Sequence, residues 1–176
     1  IVLLGVKAYD TRWACELIKP LVAEDGLVVG LQNGMTMEDV ASIMAPERTL
    51  GAVIEVAAGM YEPGVVIRQT GSEGTWFGIG AYDEATLGRE AEVAEILRHA
   101  GAVEIRDDIR SAKWMKLVVN AAEFLPSSIL NLPLAEAIKI PGMGELMMAS
   151  GREAVRTGLA LGHELVPIFG NTRIEE

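Results

Sequence analysis

The chain has 176 residues, half of them hydrophobic, which suits one large domain or two small ones with a real core and excludes a disordered chain. A formal net charge of −10 repels phosphate backbones and anionic bilayers, and three residues each of Trp, Tyr and Phe are few for stacking on bases, so neither nucleic acid nor membrane is an expected partner. Cys15 is the single cysteine, which rules out an internal disulfide and, with no run long enough to span a bilayer, points to a reducing, cytoplasmic setting.

The first stretch, "IVLLGVKAY", is a continuous apolar run, as in a parallel strand covered on both faces. It lacks a basic leader and reads as a buried strand; beginning directly on it, the chain is expected to be a piece of a longer protein. Residues 11 to 23 have helical spacing, with Cys15 read as a small packed residue. A second strand, "GLVVGLQNG", ends in Asn33-Gly34, and "TMEDVASIMA" is a helix with Thr36 as N-cap and Asp39 three residues on, an approximate capping box. "RTLGAVIEVAAG" is a third strand, and this alternation implies an α/β unit with a mainly parallel sheet. In "EPGVVIRQTGSEGTWFGIG" two strands flank the polar "QTGSEG", which predicts an antiparallel hairpin around it. An amphipathic helix, "EATLGREAEVAEILRHAG", closes at Gly101 with His99 in its last turn, and "AVEIRDD" is one more short strand. After Ser111 strand signals vanish. Helices are expected over 111 to 124, about 133 to 139, and 142 to 162, so a domain boundary is placed near residue 110. No chemistry attaches to residues 140 to 176 from pattern alone.

"FGIGAYD" is a decoy. It offers Gly78 and Gly80, but Asp83 stands where a dinucleotide fingerprint needs its third glycine, and the stretch does not open a helix after the first strand. With His99 and His163 far apart, a zinc site or histidine-based triad has no support, and no metal is expected. Lys7 and Asn33 end adjacent strands, at the edge where open α/β sheets bind ligands. Each alone has a plain alternative, a strand exit for Lys7 and turn chemistry for Asn33. Lys116 lies in a helix that is apolar nearly all round, so it must reach solvent, find a partner such as Glu123 or Asp108, or lose its proton. Burial lowers a lysine pKa and makes it a better general acid, and Asn120 one turn on shares its face. Spacing leaves the structural and catalytic readings of this pair equally open.

In order, "VLLGVKAYDT", "VVGLQNGMTMED", "LGAVIEVAA" and above all "IRSAKWMKLVVN" resemble the ketopantoate reductase (2-dehydropantoate 2-reductase) family from residue 1 to about 137. The resemblance implies the C-terminal part of a Rossmann-type dinucleotide-binding domain with a β-hairpin over residues 1–110. A partial all-α substrate domain, like the C-terminal domain of 6-phosphogluconate dehydrogenase, would follow over 111–176. It implies an oxidoreductase transferring hydride from NADPH to ketopantoate for pantothenate biosynthesis, with a homodimer compatible. By resemblance, Lys116 is catalytic, Asn120 and Asn33 bind substrate, and Lys7, Asn33 and Ala57 meet the cofactor.

Two positions depart from the family pattern. Phe124 replaces a second substrate asparagine, and Leu134 a residue that is polar in some members, which favours a different, more apolar 2-keto acid. The glycine-rich first βα unit and later acidic and serine site residues would lie before Ile1 and after Glu176. Two further readings stay open: a non-catalytic oligomerising or ligand-sensing relative, and another 3-hydroxy acid or 6-phosphogluconate-type dehydrogenase.

Overall fold

The structure is a computed structural model and describes residues 1–170; the last six residues of the expected helical part lie outside the described ones. Five strands, β1 (Val2–Leu4), β2 (Val28–Gly30), β3 (Thr49–Glu55), β6 (Trp76–Ala81) and β7 (Ala102–Ile105), form one sheet in the order β1-β2-β3-β6-β7. All neighbours are parallel except β3 and β6. This is the expected α/β class with a mixed sheet and helices.

Alternation along β3 decides what each sheet face covers. Leu50 and Ala52 point to the side of α3 (Glu90–Leu97) and pack with Val93, Ala94 and Leu97. Val53 points the other way, into a cluster with Ile109, Met115 and Val118 of α4 (Ile109–Leu130). Toward the β1 edge, Leu4 and Val28 pack against Ala14 and Cys15 of α1 (Thr11–Ile18) and Val40, Ile43 and Met44 of α2 (Met37–Met44). The packed reading of Cys15 holds: it is fully buried, and burial raises its pKa.

Three local expectations need correction. The hairpin does not turn at "QTGSEG". β4 (Ala58–Glu62) pairs with β5 (Val65–Arg68) around Pro63-Gly64, where Gly64 supplies φ +81°. "QTGSEG" instead crosses from the exposed hairpin to β6, whose apolar run is buried along nearly its whole length and so belongs mid-sheet. Thr36 does not cap α2 with its side chain; its hydroxyl donates to Gln32 Oε1 at 3.3 Å, and Asp39 pairs with Arg12. The helix expected over 111 to 124 runs from Ile109 to Leu130, opened by Asp108, whose carboxylate accepts from Ser111 N–H, and closed by Asn131 at φ +53°.

The helices after residue 130 are α5 (Leu134–Ala137) and α6 (Met143–Ala160), and α6 lies against α4. Trp114 of α4 donates to Ala154 O and Ser150 of α6 to Ala121 O. Among the described residues, no helix is long and apolar enough to cross a membrane.

Gly80 in β6 packs tightly against Arg106 and the first residue of α4. A Cβ there would lie 2.5 Å from Arg106 O and 2.6 Å from Ile109 Cβ. Gly80→Ala is expected to cost about 1–3 kcal/mol through overpacking, read as a lowered thermal midpoint. Gly144→Ala in the open first turn of α6 meets nothing within 4 Å and is expected to hold or slightly raise the midpoint. Equal midpoints for the two variants would refute the close contact.

Candidate active site at the carboxyl edge of the sheet

β1, β2 and β3 all end on the same edge, and α4 crosses above it. An open cleft of about 760 Å³ lies there, within the usual range for small-molecule sites. Lys7, Asn33, Ala57, Lys116 and Asn120 all line it, as does Phe124. Lys7 follows β1 and Asn33 follows β2, both exposed. Lys116, Asn120 and Phe124 recur every four residues along α4, so one helical stripe faces the cleft. Leu134 and the rest of α5 are not part of its wall.

Ala57 is exposed, but its backbone is engaged: its N–H donates to Thr70 Oγ1 at 2.8 Å and its carbonyl accepts from Gln69 and Thr70. The β3–β4 connection is thereby fixed to the strand that returns from the hairpin.

Lys116 is neither a surface lysine nor a partner of Glu123 or Asp108. Its Nζ donates to Glu55 Oε2 at 2.6 Å and sits 4.8 Å from the Phe169 ring centre. Glu55 shares the face of β3 that carries Val53, two residues before it, which is why it points at α4.

The lysine that burial affects most lies one turn earlier. Lys113 is 3% exposed, and its Nζ donates to Gln32 O at 2.8 Å and Ala52 O at 3.0 Å. Loss of water pulls its pKa down to about 8, partly opposed by the negative charge of Glu38. Gln32, also buried, donates from Nε2 to Thr11 Oγ1 at 3.0 Å and accepts from Thr36, bracing the loop that presents Asn33. Lys113, Gln32 and Glu55 escaped the sequence reading. Counting in threes back from Lys116 finds Lys113, and counting in twos along β3 from Val53 finds Glu55.

Residues 1–82 match the family described as ketopantoate reductase PanE/ApbA. The first 82 residues thus resemble a ketopantoate reductase domain. A 2-dehydropantoate 2-reductase from Archaeoglobus fulgidus is 31% identical over 165 residues, which cover 93% of this chain and 54% of the relative. The crystal structure of 2-dehydropantoate 2-reductase from Geobacter metallireducens superposes with a TM-score of 0.84 at 28% identity, covering 96% of this chain and 56% of that one. A D-mandelate dehydrogenase in complex with NADH shares the fold, with a TM-score of 0.82 at 20% identity over 92% of this chain and 54% of that one. The chain thus spans about half the length of the relatives it matches. The residues matched to the ketopantoate reductase family, 1–82, supply the sheet-edge half of the cleft, Lys7, Asn33, Glu55 and Ala57, while α4 supplies the facing wall.

Proposed function

We propose that this chain is part of an NADPH-dependent reductase of a 2-keto acid, ketopantoate-like, in which 2-dehydropantoate becomes pantoate. In this reading residues 1–110 contribute to cofactor binding and the helices from 111 onward to substrate binding. The observation that carries it is the convergence of Lys7, Asn33, Lys116 and Asn120, from three separate segments, on one cleft at the carboxyl edge of the sheet.

The donor set fits the cofactor. Lys7 offers a cation and Asn33 an amide at the exposed ends of adjacent strands, where an open α/β sheet holds nucleotide. The pinned backbone at Ala57 would give the nicotinamide a rigid edge to lie against. The bound cofactor supplies the hydride. Lys116 holds a proton for the substrate's carbonyl oxygen as negative charge develops there, and Asn120 orients the same substrate by hydrogen bonding. Phe124, half exposed one turn beyond Asn120, gives the far wall an apolar surface, so 2-keto acids more apolar than ketopantoate are accepted beside it.

Mixing the protein with NADPH or NADH and a panel of 2-keto acids, ketopantoate included, tests the reading through nicotinamide absorbance. Consumption that requires both components is expected, with a higher thermal midpoint when NADPH is present. No consumption and no shift with either nucleotide would overturn it.

A further inference from the structure

Among the described residues lining the cleft and its floor, three cations, Lys7, Lys113 and Lys116, are met by one carboxylate, Glu55. We propose, building on the reductase reading above, that Glu55 is a positioning residue for Lys116, holding its ammonium in the cleft at the place where the substrate carbonyl is reduced.

A lysine has a flexible four-carbon stem with many rotamers, so a lysine that must meet one oxygen needs an anchor. Lys116 has anchors on two sides. The Glu55 carboxylate lies 2.6 Å from Nζ and the Phe169 ring flanks it at 4.8 Å, leaving the Lys116 side chain 12% exposed. The anchor is fixed in its turn, because Glu55 is the last residue of β3, held in ladder register opposite Trp76. The lysine can still reach substrate, since Lys116, Glu55 and Asn120 all line the same open cleft.

A purely structural ion pair would also tie α4 to β3. Magnitude separates the two roles. The Glu55 side chain is 42% exposed, so water screens the pair and its contribution to stability is small. A large loss of rate on removing Glu55 therefore cannot come from unfolding. Glu55 is the cleft group that holds the Lys116 ammonium in one place while the carbonyl is reduced.

The test uses Glu55→Ala, Glu55→Gln and Glu55→Asp in the full chain, with two readouts. In steady-state reduction of the best 2-keto acid, Glu55→Ala and Glu55→Gln are expected to lose at least tenfold in kcat. The KM for the nicotinamide cofactor should stay within about threefold, thermal midpoints should be nearly unchanged, and Glu55→Asp should recover part of the rate. In 1H–13C NMR spectra of 13C-labelled lysine side chains, with the Lys116 signal assigned by its loss in Lys116→Arg, the Lys116 ε-methylene signal, held beside the Phe169 ring in wild type, should move toward the free-lysine position in Glu55→Gln.

Wild-type activity together with kcat within twofold in both Glu55→Ala and Glu55→Gln would overturn the proposal. If the wild type reduces no 2-keto acid, the reductase reading fails, and the spectra alone decide: an unmoved Lys116 ε-methylene signal in Glu55→Gln overturns Glu55's hold on the amine, and one moved to the free-lysine position supports it.

Discussion

Lys116→Ala is expected to lower the turnover of 2-keto acid reduction by about 10²- to 10⁴-fold, the range for removal of a general acid, while the protein stays folded. The structural losses are small by comparison. They comprise a partly exposed ion pair with Glu55 and a cation–ring contact with Phe169, each worth about 1 kcal/mol or less. Steady-state rates measured beside circular dichroism and thermal midpoints separate the two. Lys116→Arg refines the test. Arginine keeps the charge and can still bridge to Glu55, but it holds its proton too tightly to donate it. Its turnover should stay far below wild type although its fold and charge are preserved. Near-normal turnover in Lys116→Ala would exclude the assigned role.

The second large effect concerns stability and pH. Lys113 ionises near 8 in the folded protein against an ordinary 10.5. Below about pH 8 both states hold the proton, and the folded state carries the full cost of burying the charge. Between about 8 and 10.5 the unfolded chain binds more protons than the folded one, so this group makes stability rise with pH over that window, by about 3 kcal/mol at its end. The neutral amine keeps two N–H groups, enough for the carbonyls of Gln32 and Ala52. Lys113→Met removes the titration. Urea unfolding of both proteins across this pH range should show wild type gaining on the variant by about 3 kcal/mol, because effects of the other groups cancel in the difference. Parallel curves would show that the amine is not held in a dry site.

The sequence carried the broad plan well. Continuous apolar runs marked β1 to β3, and the stripe of Lys116, Asn120 and Phe124 was visible at helical spacing; full cover on both faces holds for β2 and most of β3 but not for β1, the edge strand, where Leu4 is buried and Leu3 is exposed. The assignment of burial was not. Lys113 and Lys116 lie within one turn of the same helix, and the composition of α4 is apolar around both. Only the packing of α4 on the sheet sends Lys113 down to the carbonyls of Gln32 and Ala52 and Lys116 out to Glu55. Hairpin pairing was misplaced for a similar reason: polar "QTGSEG" and the shorter "EPG" both permit a turn, and the choice depended on β6 being drawn into the sheet. Glu55 itself looked like an ordinary strand-end residue, since its partner lies 61 positions away.

Lys113, Lys116, Asn120 and Phe124 all ride on one uninterrupted helix, from Ile109 to Leu130. Each residue of an α-helix advances about 100° around its axis. A single-residue insertion or deletion between Asp108 and Lys113 would therefore swing every one of these side chains off the crevice together. Point replacements along the stripe can retune which molecule is accepted, one wall position at a time, whereas length changes in this part of the gene should be almost uniformly inactivating.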